Sequence, residues 1–499
     1  MKIFQIFIPL IVASQFLVAC QSAKNYVIPT SEKVKITQTM TTIPEQLPSS
    51  TSSVVVPSPV KTSPLINMTS TPVVLLTPLP SSMIPILDAH SAEVGALIQS
   101  KNKRVNSTGV PETDIKEYMT NSNYFAYDLL FPLIQPNGKN FIYSPYSLTM
   151  VMGMTYAGAR GDTALQMADA MRFTLPPDRL YAAINSVDQE LMGLPHGSDN
   201  ESYNVHLNIA NSLWGQVNRT YLPEYLDILS KYYGTGINLE DFTNKPEESR
   251  MAINDWVSKK TEEKITNLIP SGGINSLTKL VLVNAVYFND AWQHPFAKED
   301  TKDEYFYMVP NGQVQTPMMH TSAKFGYISN KIYQAISLPY KNCDLSMIII
   351  MPVVEQFDEF EKTLNAKNIE DIIPLLQEQP IDLTFPKFKF ETNFSLVEPL
   401  VKLGILNAFA PLSANFSGID GTREIFIGNI IQKAYISVDE YGTEAAAATA
   451  ATMKTTALET DSPIIVKIDH PFIFAIRDQQ TGTVLFIGRL LNPVLGKEK

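Results

Sequence analysis

One apolar run constrains the fold of this chain more than any other feature of its sequence. Residues 279–288 read Lys-Leu-Val-Leu-Val-Asn-Ala-Val-Tyr-Phe, with almost no alternation of polar and apolar side chains. A strand of this kind is typical of the centre of a sheet that is covered on both faces. Cover on both faces requires further layers, so the run predicts a large domain with helices and strands around a main sheet.

Helical and extended patterns are interspersed across the residues that follow position 114. Ser144 and Pro145 are typical of a helix N-cap and first helical position, and residues 146–157 are apolar on nearly every side, which predicts a buried helix. Residues 471–476 and 483–487 flank a Gln-Thr-Gly turn and predict a hairpin. No regular βαβ rhythm is visible, so these patterns favour one mixed α+β domain.

The first 19 residues have the composition of an export signal, with one lysine and an apolar run at positions 3–17. They end in Leu-Val-Ala before Cys20, which resembles the lipobox of prokaryotic lipoproteins. That resemblance implies diacylation of Cys20 and a lipid anchor in the cell envelope, on the outer face of the cytoplasmic membrane, the outer membrane or the cell surface. The alternative is an unmodified cysteine after a eukaryotic-type signal.

A stalk is predicted between this signal and the domain. Residues 20–113 are rich in Ser, Thr, Pro and Val, and Tyr26 is the only aromatic residue between Cys20 and Tyr118. Such a segment buries too little apolar surface to offset its ordering entropy, and as a coil it would reach roughly 50–60 Å. We therefore divide the chain into a signal at 1–19, a stalk at 20–113 and a globular domain at 114–499.

Charge and cysteine content exclude several classes of protein. The net charge is −11, from 50 acidic and 39 basic residues with no basic block, which argues against nucleic acid as a partner. Cys343 is the only cysteine besides Cys20 and precedes an apolar run, so we expect a buried structural thiol. With Cys20 lipidated, no intramolecular disulfide can form.

The sequence carries no standard catalytic signature. We find no Gly-x-Ser-x-Gly, His-Glu-x-x-His or Cys-x-x-Cys, no phosphate loop and no dinucleotide fingerprint, and the six histidines lack metal-ligand spacing. Ser276 and Lys279 match the Ser-x-x-Lys of penicillin-binding enzymes, but the Lys-Thr-Gly companion is absent. We expect no enzyme, metal or cofactor, and keep a cell-wall enzyme as a remote alternative.

The most unusual segment, residues 440–454, consists largely of small side chains. Its alanine content favours an exposed helix. As a strand, it could instead bury one whole face without overpacking, because small side chains alone would occupy that face. The residues of this face are Thr443, Ala445, Ala447, Thr449 and Ala451. Composition alone leaves both interpretations open.

Several motifs, in order over about 380 residues, resemble those of the serpin family. They lie at residues 140–147, 254–265, 282–292 and 472–493, and the family's hinge resembles Glu440-x-Gly442-Thr443-Glu444-Ala445-Ala446-Ala447-Ala448-Thr449. The resemblance implies an α+β serpin fold with three β-sheets, eight or nine helices and an exposed reactive-centre loop at about 440–461.

The resemblance also implies a function, that of a monomeric suicide-substrate inhibitor of serine or cysteine endopeptidases. The target endopeptidase attacks the loop and forms a covalent acyl-enzyme. The cut loop then inserts as a new strand in the main sheet and distorts the bound protease. The alternative within the family is a non-inhibitory serpin that acts as a binding module, although the bulky, charged or proline hinge residues usual in such members are absent here.

The family's spacing from the hinge glutamate places the reactive bond between Thr456 and Ala457. Residues 442–471 form a stretch about four residues longer than in typical members, so other positions remain open, namely Met453, Lys454, Thr455 and Leu458. The resemblance also assigns a cluster that guards opening of the sheet, here called the shutter, to Ser144, Ser147 and Asn284. The usual shutter histidine falls on Gln432, and Trp292 resembles the tryptophan at the point where the loop inserts.

Overall fold

The structure frames the predicted central strand with helices and further strands. It is a computed structural model that describes residues 93–133, 138–193, 206–308, 312–341, 344–443 and 462–494. All of these belong to one unit, Ile84–Lys499. The predictions for the signal, Cys20 and Cys343 lie outside the described residues.

The described residues form ten α-helices. Three of them, α5, α9 and α10, have only 6, 6 and 4 residues, which explains why the number exceeds the expected eight or nine. None of the helices in the described ranges has the length and apolarity needed to cross a bilayer. The helices are α1 (Glu112–Leu133), α2 (Pro145–Tyr156), α3 (Gly161–Ala170), α4 (Pro177–Met192), α5 (Pro223–Ile228), α6 (Pro246–Lys260), α7 (Phe357–Thr363), α8 (Ala366–Ile372), α9 (Val397–Lys402) and α10 (Ser417–Asp420).

Sixteen strands accompany these helices in the described ranges. They are β1 (Leu97–Ile98), β2 (Phe141–Tyr143), β3 (His206–Gln216), β4 (Ile237–Glu240), β5 (Leu280–Ala291), β6 (Lys302–Tyr307), β7 (Gln313–Ser329), β8 (Tyr333–Pro339), β9 (Leu345–Pro352), β10 (Gln377–Pro386), β11 (Phe388–Ser395), β12 (Ile430–Val438), β13 (Gly442–Thr443), β14 (Ile464–Lys467), β15 (Phe472–Asp478) and β16 (Val484–Leu490).

The main sheet has seven strands in the order β1-β4-β3-β5-β13-β12-β11. Its central strand β5 is buried on both faces, as the sequence predicts. Leu282 and Phe288 pack into the larger apolar core on one face, while Val283 and Tyr287 pack beneath α6 on the other. The sheet therefore lies between two apolar layers, and any strand added to it would be covered on both sides.

The second sheet has nine strands in the order β14-β10-β7-β8-β9-β15-β16-β2, with β6 also paired to β7. The predicted hairpin is its β15–β16 pair. Strand β7 is 17 residues long and pairs with β6, β10 and β8 along its length. The family resemblance implies three sheets. Because β7 is continuous, two of them are joined by hydrogen bonds into this single nine-stranded sheet.

Helix α2 is the buried helix predicted after Ser144. The Ser144 side chain accepts a hydrogen bond from the backbone N–H of Ser147, with Pro145 at the start of the helix. Eleven of its 12 residues are buried. It packs against β16, β5 and β3, and so lies directly under the main sheet.

Residues 93–105, which we call the N-terminal strap, lie against the domain at the edge of the main sheet. Strand β1 pairs with β4, and Arg104 donates to Asn185 on α4 over 2.8 Å. The Val105 N–H donates to the carbonyl of Lys231 over 2.9 Å. The segment lacks aromatic side chains and is therefore part of the predicted stalk, but in the structure backbone and polar hydrogen bonds hold it to the domain.

Candidate functional site

The candidate site begins where two parallel strands of the main sheet separate. Strands β5 and β12 pair directly from Leu282 and Ile430 to Tyr287 and Tyr435, a contact that we call the seam. Beyond it, β13 (Gly442–Thr443) lies between them and is antiparallel to both. The first residues of the predicted hinge therefore already occupy a strand position in the sheet.

The inserted hinge residue is held from below by two aromatic side chains. Thr443 is fully buried, and its hydroxyl is 2.8 Å from that of Tyr340. The Tyr340 ring stacks on Trp292 with a centroid distance of 4.7 Å. Burial raises the pKa of Tyr340 well above its usual value, so its hydroxyl stays neutral and available for hydrogen bonding.

Trp292 also contacts the turn that precedes the hinge. Its indole N–H donates to the carbonyl of Asp439 over 3.0 Å, and its backbone N–H donates to the carbonyl of Tyr441 over 2.9 Å. Trp292, which is predicted to lie where the loop inserts, therefore connects the end of β5 to the turn before the hinge.

The hinge glutamate is anchored by a buried ion pair. Glu440 is 3% exposed; its carboxylate pairs with the Lys387 ammonium at 2.6 Å and accepts from the Thr301 hydroxyl over 2.9 Å. Burial alone would raise the pKa of Glu440, but the hydrogen bond from Lys387 and the other donors outweigh it and the pKa is lowered. The carboxylate therefore stays ionised at neutral pH. Its ion pair connects the start of the hinge to Lys387, which lies between β10 and β11.

A hydrogen-bonded cluster across the seam contains three of the residues predicted for the shutter. Gln432 on β12 and Asn284 on β5 are direct partners, and the Gln432 amide N–H donates to the Asn284 side-chain oxygen over 2.6 Å. The same amide donates to the Ser144 carbonyl and accepts from the Ser144 N–H, each over 2.9 Å. Gln432 thus links both strands of the seam to the start of α2.

The predicted shutter residues Ser147 and Asn284 differ in how fully their side chains are hydrogen-bonded. The Ser147 hydroxyl donates to Asn211 on β3 over 2.7 Å, and so ties α2 to the neighbouring strand. The buried side-chain N–H₂ of Asn284 has no hydrogen-bond partner among the described residues. Gln432 therefore satisfies the oxygen of Asn284 but leaves its nitrogen unpaired, a local cost on the closed seam.

Sequence reasoning missed four residues of this site: Tyr340, Lys387, Thr301 and Asp290. Tyr340, Lys387 and Thr301 belong to no motif that was singled out, and Asp290 lies within the motif at 282–292 without having been assigned a role. Lys387 lies 53 positions from Glu440, and Tyr340 lies 103 positions from Thr443. Only the folded chain brings these side chains to the hinge.

The Ser-x-x-Lys motif lacks the geometry that an enzyme of that type requires. Ser276 lies in a turn and Lys279 immediately precedes β5, so the serine does not open a helix. Leu277 between them is 72% exposed. In the described ranges, no group of three or more His, Cys, Asp or Glu side chains is placed to hold a metal ion.

The rest of the predicted loop lies outside the described residues. This applies to the remaining hinge positions Glu444, Ala445, Ala446, Ala447, Ala448 and Thr449, and to the reactive-bond candidates Met453, Lys454, Thr455, Thr456, Ala457 and Leu458.

One protein family matches most of the chain. The family model described as Serpin (serine protease inhibitor) matches residues 120–493. The chain belongs to the serpin family. The N-terminal strap of this serpin lies before the matched residues, whereas the seam, the shutter and the hinge all lie within them.

Individual serpins and one solved structure show the extent of the similarity. An uncharacterized serpin-like protein of Thermococcus kodakarensis is 38% identical over 372 residues, which cover 74% of this chain and 84% of that protein. Leukocyte elastase inhibitor of Bos taurus is 35% identical over 381 residues, covering 74% and 97%. The native-state structure of Tengpin, a thermophilic serpin, matches with a TM-score of 0.70 and 27% identity, covering 80% of this chain and 100% of its own. The predicted serpin fold is confirmed.

Proposed function

We propose that this serpin inhibits serine endopeptidases as a suicide substrate, through insertion of its cleaved loop into the seam. The protease hydroxyl attacks the loop carbonyl, the C-terminal part of the loop leaves as an amine, and an acyl-enzyme remains. Insertion of the loop before water arrives carries the bound protease along the sheet and distorts its active site. The observation that supports this most strongly is the register of β13.

The β13 register, continued along the loop, fits both strands of the seam at once. Eight residues beyond Thr443 the loop reaches Ala451. Eight residues back from the partners of Thr443 are Leu282 on β5 and Ile430 on β12. Leu282 and Ile430 are already opposite one another in the closed seam. One uninterrupted strand could therefore pair with both neighbours without a bulge.

The side chains of that strand would suit the space. Alternate residues of a strand share a face, so residues two, four, six and eight positions beyond Thr443 would point with it into the larger core. These are Ala445, Ala447, Thr449 and Ala451, all small. Small side chains can enter a packed layer without forcing its neighbours apart.

For the reactive bond we propose Thr456–Ala457. In the same register Met453 would lie opposite Leu280, the first residue of β5, so Thr456 would lie just past the far end of the sheet. Small residues at a reactive bond suit elastase- or subtilisin-like pockets, and the Bos taurus relative is named leukocyte elastase inhibitor. Met453, Lys454, Thr455 and Leu458 are the alternatives.

The test is incubation with elastase-, subtilisin-, trypsin- and papain-like proteases, followed by denaturing electrophoresis and mass spectrometry of the released C-terminal peptide. We expect a complex that survives boiling in detergent with at least one serine protease, and a peptide that begins at Ala457. Cleavage by every matched protease without any complex would overturn the proposal and favour the non-inhibitory binding module.

Two hinge variants test the insertion step itself. Ala445→Pro removes a backbone N–H from the new ladder, and Thr443→Arg places a long charged side chain in a fully buried position. Both should convert the inhibitor into a substrate that is cleaved without forming a complex. The control Ala445→Ser keeps a small side chain and should retain complex formation.

We further propose that a lipid on Cys20 anchors the serpin to the cell envelope. The wild-type protein made in a bacterial host should partition into detergent and carry the mass of a diacylglyceryl group. Cys20→Ser should instead be found in the aqueous phase without that mass. An unmodified Cys20 in the mature wild-type protein would contradict the anchor while leaving the inhibitory function untouched.

A further inference from the structure

A buried carboxyl group lies directly beside the inserted hinge. Asp290, near the end of β5, is 5% exposed and is the antiparallel partner of Thr443. Side chains of directly opposite residues in such a pair share a face, with Cβ atoms about 4.5–5.5 Å apart. The Asp290 side chain therefore lies on the same face of the sheet as the Thr443 side chain, and its charge acts on Tyr340, the hydrogen-bond partner of Thr443.

The groups that face Asp290 do not compensate fully for its burial. Burial raises its pKa to about 7, and the backbone N–H of Ala291, 2.8 Å from the carboxylate, lowers it only in part. The connection between β8 and β9 contributes Asp344, which raises the pKa, and Lys341, which lowers it. Strand β13 contributes no titratable side chain. The charged form is therefore disfavoured while the hinge is seated.

We propose that Asp290 is a proton-controlled latch on the hinge: the protonated carboxyl favours Thr443 seated in the sheet, and the carboxylate favours its withdrawal. Withdrawal of Thr443 would let water reach the carboxylate, which relieves the cost of its charge. The inference rests on the proposed function only in that the hinge is the start of the inserting loop. Seating is the first step of insertion, so protonation of Asp290 would favour that step.

The direction of the pH dependence follows from proton linkage. With the hinge withdrawn, the pKa of Asp290 would return towards the usual 3.8, whereas it is about 7 with the hinge seated. Between these values the seated state binds more protons than the withdrawn state. Seating therefore weakens as pH rises through this window, by up to about tenfold per pH unit, and levels off above about pH 7.

Hydrogen exchange of the uncleaved protein measures this directly. Peptides that contain residues 440–443 would be followed in the wild type and in Asp290→Asn at each pH unit from 5 to 8. Comparison of the two proteins at one pH removes the intrinsic pH dependence of exchange. We expect the protection of Asp290→Asn relative to wild type to rise by up to about tenfold per unit up to pH 7, and then to remain constant.

Two further variants make the test specific. Asp344→Asn removes a neighbouring negative charge, so the levelling point of the wild-type profile should move to lower pH. Asp303→Asn, an exposed change on β6, should leave the profile unaltered. A ratio that does not vary with pH in Asp290→Asn would overturn the latch. If that variant fails to fold, an unmoved levelling point in Asp344→Asn would overturn it instead.

The experiments distinguish failure of the proposed latch from failure of the proposed inhibitory function. Exchange is measured without a protease, so a flat exchange ratio with normal detergent-stable complexes would reject the latch alone. A pH-dependent ratio in a protein that forms no complex with any protease would reject inhibition while leaving the latch in place.

Discussion

At the scale of single residues, one buried amide makes hydrogen bonds across the seam. Gln432 is fully buried and joins β12 to both Asn284 and Ser144. An amide donates and accepts at the same time, and it does not titrate, so these bonds keep their form across the physiological pH range. The closed seam of this serpin therefore depends on shape and pairing rather than on a protonation state at that position.

Replacing Gln432 should weaken the native state markedly. Gln432→Leu keeps the approximate volume but leaves the Ser144 backbone groups and the Asn284 oxygen buried without their partner. We expect a loss of about 2–4 kcal/mol in the free energy of unfolding, measured from the denaturant midpoint. Gln315→Leu, at an exposed position on β7, should change it by less than about 0.5 kcal/mol. Equal losses in both variants would show that the cluster contributes nothing.

The ion pair of Glu440 should give the hinge a pH dependence in the acidic range. The pKa of Glu440 is lowered from 4.5, so its stabilising effect is complete above that value and is lost as pH falls through the lowered pKa. Glu440→Gln should cost about 1–2 kcal/mol of unfolding free energy at pH 7, and this cost should shrink as the pH falls through the lowered pKa. In a double-mutant cycle with Lys387→Met, additive losses would contradict a direct interaction.

Local motifs identified the residues of the hinge and the shutter, but not their partners. Glu440, Thr443 and Asn284 stand out because neighbouring residues form recognisable patterns. Tyr340 and Lys387 are ordinary residues in their own segments, and their role comes from contacts made 103 and 53 positions away. A single sequence contains no record of such contacts. The residues that contact the hinge could therefore be identified only from the structure.

At the scale of elements, runs of apolar residues predicted those elements whose side chains are buried. Strand β5, helix α2 and the β15–β16 hairpin each carry a clear pattern of apolar residues. Strand β1 does not, because it consists of two residues and Leu97 is half exposed. Hydrogen bonds of the backbone hold it to β4, and backbone pairing leaves little trace in the identity of the side chains.

The surface beneath the strap is shaped by a glycine. A Cβ atom at Gly236 would lie 2.0 Å from the carbonyl oxygen of Ile98 and 2.7 Å from the Cβ of Gln99. Gly236→Ala should therefore displace the strap, increase hydrogen exchange in residues 93–105 and lower the unfolding free energy by about 1–3 kcal/mol. Gly428→Ala, where a Cβ would meet nothing within 4 Å, should do neither. Unchanged exchange in Gly236→Ala would mean that the strap is not held there.

At the scale of the whole molecule, the proposed insertion of the cleaved loop implies a native state that is not the most stable one. The cleaved loop could form a ladder with both β5 and β12, whereas among the described residues of the uncleaved chain Thr443 pairs with both strands and Gly442 pairs with β5. The native fold would then persist because conversion is slow rather than because it is lowest in free energy.

Cutting the loop should therefore raise the melting temperature. About ten new ladder hydrogen bonds at about 1 kcal/mol each, with about 2–4 °C for each kcal/mol, give a rise on the order of 20 °C. The measurement is calorimetry before and after a nick by an unrelated protease. The Ala445→Pro variant, nicked in the same way, should rise much less. An unchanged melting temperature of the nicked wild-type protein would contradict a native state that is less stable than the inserted one.

The place of the strap also decides how this serpin would respond to a mechanical load. The chain enters the described structure at Glu93, and β1 is the edge strand next to β4, with three strands between it and β13 in the sheet. Tension applied from the N-terminal side would pull on β4 and on the hydrogen bond between Arg104 and Asn185 on α4. The hinge would bear none of that force directly, so tension on the N-terminal side would not by itself start insertion of the loop.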